Sequence, residues 1–146
     1  MEPVGSTIKL TINSHFQFIE LVASVTDNIT QLVGFGQEEA HWIGPSVRES
    51  VINAIKHGNK LDSNKQVDVK FIINDSGITI YVRDRGEGFD PDCIPNPLEP
   101  TNLLNPNGRG IFYMRTFMDE VVFSSHPQGG TIVRMLKRKV NTDKSE

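Results

Sequence analysis

The fold of this chain is decided by the stretch Arg48-Glu49-Ser50-Val51-Ile52-Asn53-Ala54-Ile55-Lys56-His57-Gly58-Asn59. Glu49, Asn53 and His57 are spaced i, i+4 and i+8, so they share one stripe of a helix. A carboxylate one turn from a carboxamide can accept a proton beside a hydrated magnesium ion. On spacing alone, a polar stripe facing solvent is the more common explanation. The apolar residues of the region form a second stripe, which predicts contact with a sheet: Val47, Val51 and Ile55.

The helix that carries this stretch is predicted to run over residues 37–57 and to end at Gly58. Pro45, which follows Gly44, lacks an amide donor and clashes with the preceding helical turn. We therefore predict either a kink in the helix or two helices, the second of which starts at Pro45.

The residues before this helix predict one strand and one further helix. Alternating apolar residues predict a strand over 7–12, and apolar residues at helical spacing predict a helix from about residue 18 to residue 33. Asn13 or Ser14 is the expected N-cap of that helix, because a short polar side chain can accept a hydrogen bond from its first amides.

The residues after the helix predict two pairs of strands. The first pair is joined by Asn74-Asp75-Ser76-Gly77, which is good hairpin chemistry. The predicted elements are strands at 66–73 and 78–84, a proline-rich lid at 89–107, a helix at 110–118, and strands at 120–125 and 131–137. This order predicts an α+β fold, a two-layer α/β sandwich with a mixed, mostly antiparallel sheet and helices on one face.

A second motif, Asp84-Arg85-Gly86-Glu87-Gly88, follows a predicted strand. Gly86 and Gly88 let the backbone approach a ligand closely. Asp84 can accept a hydrogen bond from an amine such as the exocyclic amino group of adenine. A Rossmann site is excluded, because the third glycine and the βαβ unit are missing. Taken alone, a tight turn without a ligand explains the motif equally well.

A third motif, Asn107-Gly108-Arg109-Gly110, opens the short predicted helix. Amides at a helix N-terminus, beside glycines that allow close approach, can bind phosphate. Arg109 could add a counter-charge for phosphate oxygens. The chain has no Gly-Lys-Ser/Thr sequence, which excludes a Walker A loop. A plain glycine turn remains the alternative for this motif alone.

Composition limits the class of protein. The chain has 146 residues and a formal charge of −3, so direct nucleic-acid binding is not expected. Its single cysteine excludes an internal disulfide, and no Cys/His set has zinc spacing. No apolar run is long enough for a membrane span, so we expect a cytoplasmic protein without membrane contact. One domain is expected over residues 6–138, with flexible termini at 1–5 and 139–146.

In this order, the three motifs resemble the N, G1 and G2 boxes of the Bergerat-fold (GHKL) ATPase and kinase superfamily. The small single domain is similar to the anti-sigma factor serine kinases, the RsbW and SpoIIAB group, over about residues 6 to 138. The matching stretches, besides residues 48–59, are Gly88-Phe89-Asp90-Pro91, Gly108-Arg109-Gly110-Ile111-Phe112-Tyr113-Met114-Arg115, Phe117-Met118-Asp119-Glu120-Val121 and Gly130-Thr131-Ile132-Val133.

The resemblance implies a role for each motif residue. Glu49 would be the catalytic base, Asn53 would hold Mg²⁺ against ATP, and His57 would support that site. Asp84 would bind the adenine amino group. The other implied ATP contacts are Thr131 beside the adenine, Gly86 and Gly88 along the base and ribose, and Gly108, Arg109 and Gly110 around the phosphates.

The resemblance also implies a reaction and its partners. ATP would phosphorylate a serine of an anti-anti-sigma (STAS) protein, and the kinase, as a homodimer, would hold a sigma factor. Two alternatives stay open. One is a non-catalytic ATP-binding module that switches partners, which the intact Glu49 and Asn53 disfavour. The other is a stand-alone histidine-kinase-type ATPase domain, which would leave phosphohistidine on its target.

Overall fold

The computed structural model describes residues 5–87 and 109–140, with only the backbone at Arg109. The strands are β1 (Ser6–Asn13), β2 (Gln66–Asn74), β3 (Gly77–Arg83), β4 (Glu120–Ser125) and β5 (Thr131–Arg138). The helices are α1 (Ile19–Val33), α2 (Gln37–Asn53) and α3 (Arg109–Phe117), with a 3-10 turn at Phe16–Phe18 and a π-helical turn at Ala54–Gly58. The predicted order of strands and helices is confirmed.

The strands form one five-stranded sheet in the order β1-β2-β3-β5-β4. All four pairings between the described strands are antiparallel, which agrees with the mostly antiparallel sheet that was predicted. The hairpin turn at Asn74 is confirmed, because the Asn74 side chain accepts hydrogen bonds from the amides of Ser76 and Gly77. The sheet of the α+β sandwich therefore follows the chain order from β1 to β3, and β5 then lies next to β3 with β4 at the edge.

The core lies between the sheet and the helices. Phe71 and Ile80 of the central strands are 0% exposed, and so are Val47, Val51 and Ile55 from the stretch around α2. Each side chain of this size stabilises the fold by roughly 1.5–3 kcal/mol when fully buried. The predicted apolar stripe is confirmed. Because this stripe faces the sheet, the opposite, polar side of α2 faces the N-terminal end of α3.

Helix α2 passes through Pro45 without interruption, so the predicted second helix starting at Pro45 is wrong. Ile43 and Val47, on either side of the proline, are both fully buried. A Cβ on Gly44 would lie 3.0 Å from the Asp27 carboxylate of α1, so the two helices pack closely at this point. This packing outweighs the lost hydrogen bond at proline.

The predicted N-cap of α1 is also wrong. The helix follows the 3-10 turn, its N-cap position is Phe18, and no side chain caps it. The Asn13 side chain instead donates to the carbonyl of Ser63 at 2.9 Å, and Ser14 Oγ donates to the carbonyl of Lys65 at 2.6 Å. These two residues therefore tie the end of β1 to the chain entering β2. No helix within the described residues is both long and apolar enough to cross a bilayer.

Candidate functional site

The polar side of α2 presents Glu49 and Asn53 one turn apart. Burial raises the pKa of Glu49 above its ordinary value, against smaller lowering effects from Lys56 and the Asn53 amide. Asn53 is 4% exposed, and its Nδ2 has no hydrogen-bond partner of good geometry among the described residues. The Asn53 amide is therefore close enough to lower the pKa of Glu49, although its Nδ2 makes no hydrogen bond of good geometry with the carboxylate. A buried amide in this state is suited to a ligand that is polar.

Gly110, the second residue of α3, lies directly against Glu49. A Cβ at position 110 would fall 2.0 Å from the Glu49 carboxyl carbon and 2.0 Å from its Cγ. Only a residue without a side chain fits this approach, because real Cβ atoms do not come so near. The N-terminus of α3 and the carboxylate of α2 are therefore brought together, as the order of the motifs predicts.

Asp84 sits at the end of β3 and is 1% exposed. Its Oδ1 accepts hydrogen bonds from the amides of Gly86 at 2.9 Å and Thr131 at 3.2 Å, and its own amide donates to the Thr131 carbonyl at 3.1 Å. Burial raises the pKa of Asp84, while these backbone amides and nearby cations act in the opposite direction. The carboxylate is held rigidly, and neither amide donates to Oδ2.

Three glycines surround Asp84 at distances that exclude any side chain. A Cβ would lie 2.3 Å from the Asp84 Cγ if added to Gly58, and 2.1 Å from the Asp84 carbonyl oxygen if added to Gly130. At Gly86 it would lie 1.8 Å from the Gly58 carbonyl oxygen. Gly58 follows α2 by one π-helical turn, so the first motif reaches the second through this contact. Gly58 and Gly130 were not among the predicted site residues, although each lies within a stretch that carries the family resemblance.

His57 lies in the π-helical turn, so the α-helical stripe predicted through Glu49, Asn53 and His57 is regular only as far as Asn53. The side chain is partly buried. Desolvation, followed by the charges of Lys56 and Lys60, lowers the pKa of His57. The imidazole is therefore biased toward its neutral form, which can accept as well as donate a hydrogen bond.

Some predicted positions cannot be placed. Gly88, Gly108 and the proline-rich segment 89–107 lie outside the described residues, and so does the side chain of Arg109. The described residues contain no cluster of three or more His, Cys, Asp or Glu side chains that could hold a metal ion. A magnesium ion at this site would therefore take most of its ligands from water and from the phosphates of a nucleotide. The unsatisfied amide of Asn53 and the glycine-lined approach to Asp84 fit a Mg-nucleotide.

Comparison with known proteins agrees with this geometry. Residues 16–137 match the family model described as histidine kinase-like ATPase domain. The serine-protein kinase RsbW of Bacillus subtilis is 26% identical over 136 residues, which cover 89% of this chain and 84% of that protein. An anti-sigma F factor of Clostridium botulinum is 36% identical over 107 residues, which cover 69% of this chain and 72% of that protein.

A solved structure supports the fold. The crystal structure of the RsbU and RsbW domains of a Mycobacterium tuberculosis protein matches 92% of this chain with a TM-score of 0.66 and 17% identity. The match spans 33% of that longer chain. Taken together, the fold, the three converging motifs and these likenesses show that the chain belongs to the histidine kinase-like ATPase family, within its anti-sigma factor kinase group.

Proposed function

We propose that this chain is an ATP-dependent serine kinase and anti-sigma factor, which phosphorylates a serine of an anti-anti-sigma (STAS) partner and sequesters a sigma factor. The observation that carries the proposal is the contact between Gly110 and Glu49, because it brings the helix end that would bind phosphate against the half-buried carboxylate that would act as base. The similar proteins named serine-protein kinase and anti-sigma F factor support the same activity. We expect it to act in the cytoplasm, within a domain spanning residues 6–138.

Glu49 acts as the base in this proposal. A general base works best when its pKa lies near the working pH, and burial moves the pKa of Glu49 in that direction. Its carboxylate would orient the serine hydroxyl of the partner and accept its proton. Phosphoryl transfer depends chiefly on positioning and charge stabilisation, so the main contribution of a fixed carboxylate beside the phosphate site would be to position the attacking hydroxyl.

Asn53 would provide the oxygen ligand for Mg²⁺, with His57 supporting it from the following turn. When bound, ATP would supply the phosphoryl group, and the magnesium ion would neutralise part of the phosphate charge. Magnesium in such sites keeps water and phosphate oxygens as most of its ligands, so one protein oxygen is enough. Burial of the Asn53 carboxamide beside Glu49 supports this assignment, and its unpaired Nδ2 is a donor suited to a phosphate oxygen of the same nucleotide.

Asp84 would accept a hydrogen bond from the adenine amino group. Its Oδ1 is engaged by two backbone amides, which leaves the orientation of the carboxylate fixed before a ligand arrives. Thr131 would assist next to the adenine. Gly86 and Gly88 would let the base and ribose approach the backbone, and Gly108, Arg109 and Gly110 would surround the phosphates.

Phosphorylation offers a physical reason for partner exchange. A phosphoserine carries about −1.5 to −2 charges at pH 7, which can disrupt the interface with an acidic kinase. Release of the phosphorylated partner would leave the kinase able to hold the sigma factor. Homodimerisation belongs to the same proposal and is supported by the family resemblance. A monomer mass in light scattering would contradict the dimer.

The test is phosphoryl transfer from radiolabelled ATP to a cognate STAS protein. We expect acid-stable, alkali-labile label on serine with wild type and none with Glu49→Ala, whereas Glu38→Ala, at an exposed position of the same helix, should transfer normally. ATP binding without transfer, unchanged by Glu49→Ala, would favour a non-catalytic partner-switching module. Acid-labile phosphohistidine on the target would favour the histidine-kinase alternative.

A further inference from the structure

Asn59, the last residue of the stretch that decides the fold, is 0% exposed and uses both ends of its side chain. Its Nδ2 donates to Ser14 Oγ at 2.8 Å and to the Gln66 carbonyl at 3.1 Å. Its Oδ1 accepts from the amide of Arg85 at 2.7 Å. One side chain therefore joins the end of β1, the start of β2 and the loop that follows Asp84.

The backbone around Asn59 is shaped to place this side chain. Its amide donates to the Ala54 carbonyl at 2.7 Å, which closes the π-helical turn after α2. Lys60 and Leu61 follow in the left-handed region, with φ of 53° and 64°. Non-glycine residues occupy that region only when their surroundings enforce it, and π-helical turns are frequent at functional sites. The chain is thus turned sharply beneath the Asp84 loop.

Asn59 contacts the loop at Arg85, the residue between Asp84 and Gly86. Thr131 holds the backbone of Asp84, and the Gly86 amide donates to its Oδ1. The Arg85 amide donates to the Asn59 side chain, and the Arg85 guanidinium forms an ion pair with Asp68. The Arg85 and Asp68 side chains are 36% and 31% exposed, so water partly screens their ion pair, and the hydrogen bond from the Arg85 amide to fully buried Asn59 is a second restraint on this residue.

We propose that Asn59 is the positioning residue that sets the angle of Asp84 and thereby the preference of the site for adenine over guanine bases. This inference rests on the proposed function, in which Asp84 receives the adenine amino group. Guanine presents a carbonyl oxygen where adenine presents that amine, so a fixed carboxylate repels GTP. A carboxylate free to turn away discriminates less.

The test compares Asn59→Ala with two controls, Ser14→Ala and Thr26→Ala. Ser14→Ala removes a hydroxyl from the same network but keeps the bond between Asn59 and Arg85. Thr26→Ala removes a fully buried hydroxyl of α1, whose partner is the Val22 carbonyl. Calorimetry gives the Kd of ATP and of GTP for each variant, circular dichroism gives its Tm, and phosphoryl transfer gives kcat and KM for ATP.

For Asn59→Ala we expect ATP affinity to fall about tenfold or more, since a buried amide loses its acceptor, while GTP affinity changes little. The KM for ATP should rise with kcat nearly unchanged, because Glu49 and Gly110 are untouched. Both controls should lower the Tm but keep the wild-type ratio of ATP to GTP affinity. If Asn59→Ala does not fold, Asn59→Ser, which keeps a polar group there, takes its place with the same expectation.

A folded Asn59 variant that keeps the wild-type ratio of ATP to GTP affinity would overturn this inference. So would an equal loss of that ratio in Thr26→Ala, since the effect would then follow stability alone. A wild type that binds no ATP would contradict the proposed function itself. The two failures are therefore distinguished by the wild-type titration.

Discussion

Gly110 approaches Glu49 so closely that a Cβ at position 110 would lie 2.0 Å from the carboxyl carbon of Glu49. The two residues belong to motifs on different helices, and each motif taken alone fits a common structural feature. Their contact couples the N-terminal end of α3 to the carboxylate of α2. The Glu49 side chain can occupy its position only because residue 110 has no side chain. Changes at Gly110 should therefore act on catalysis through Glu49.

Gly110→Ala should reduce phosphoryl transfer by about tenfold to a hundredfold, because the new methyl group forces Glu49 into another rotamer. The stability cost should be about 1–3 kcal/mol, as is typical of overpacking. Transfer assays and chemical denaturation measure the two effects. Gly36→Ala is the matched control, since its Cβ would lie 3.4 Å from Glu39 Oε1, an ordinary contact. Wild-type transfer by a folded Gly110→Ala would contradict the argument.

Glu49→Gln should abolish transfer and yet stabilise the protein at neutral pH. Burial raises the pKa of Glu49 in the folded state, so the ionised form opposes folding above that pKa. The cost fades as the pH falls through the folded-state pKa, because the folded protein then takes up its proton. The gain in Tm from Glu49→Gln should be a few degrees at pH 7.5 and smaller at pH 5.

Exposed Glu38 on the same helix provides the control for this charge effect, since Glu38→Gln should change the Tm little at either pH. A loss of stability in Glu49→Gln at pH 7.5 would show that the carboxylate is stabilised by partners rather than strained by burial. Retained ATP binding in the variant would separate the role of Glu49 in transfer from any role in binding.

Gly58→Ala should abolish ATP binding, although sequence reasoning gave Gly58 only the role of a helix end. Its Cβ would lie 2.3 Å from both Cγ and Oδ2 of Asp84, so the carboxylate must turn away. The free energy of unfolding should fall by about 2 kcal/mol from crowding at a buried position. Calorimetry with ATP tests the binding, and Gly36→Ala again serves as control. Wild-type ATP affinity in Gly58→Ala would remove Asp84 from the adenine site.

The sequence predicts the order of elements well because strand alternation, helical spacing and hairpin turns are local signals. It also predicts that Glu49 and the turn at Gly110 act together, although only through the order of the motifs. It could not predict the uninterrupted helix through Pro45, since that depends on the burial of Ile43 and Val47 against other elements. Local preference is overruled there by packing.

The same limit explains the residues that were missed. Ser14 has the side chain of an N-cap, but its hydroxyl is used by Lys65 and Asn59, which are distant in sequence. Asn59 itself looks like an ordinary residue after a helix. Its role depends on the π-helical turn, whose wider hydrogen bonding has no distinct signal in a sequence.

Helix α3 is also fixed to α2 at its far end, where Phe117 stacks on Trp42 with ring centroids 3.7 Å apart and planes 4° apart. Because Gly110 is at the other end of α3, loosening this stack should displace the turn that contacts Glu49. Phe117 is only partly buried, so Phe117→Ala should lower the free energy of unfolding by about 1–2 kcal/mol, and it should slow transfer about tenfold. Phe16→Ala, at a 51% exposed position in the 3-10 turn before α1, is the control and should have little effect on either. Trp42 is the chain's single tryptophan, so its fluorescence reports the stack directly. An altered Trp42 spectrum in Phe117→Ala with unchanged transfer would show that the two ends of α3 act independently.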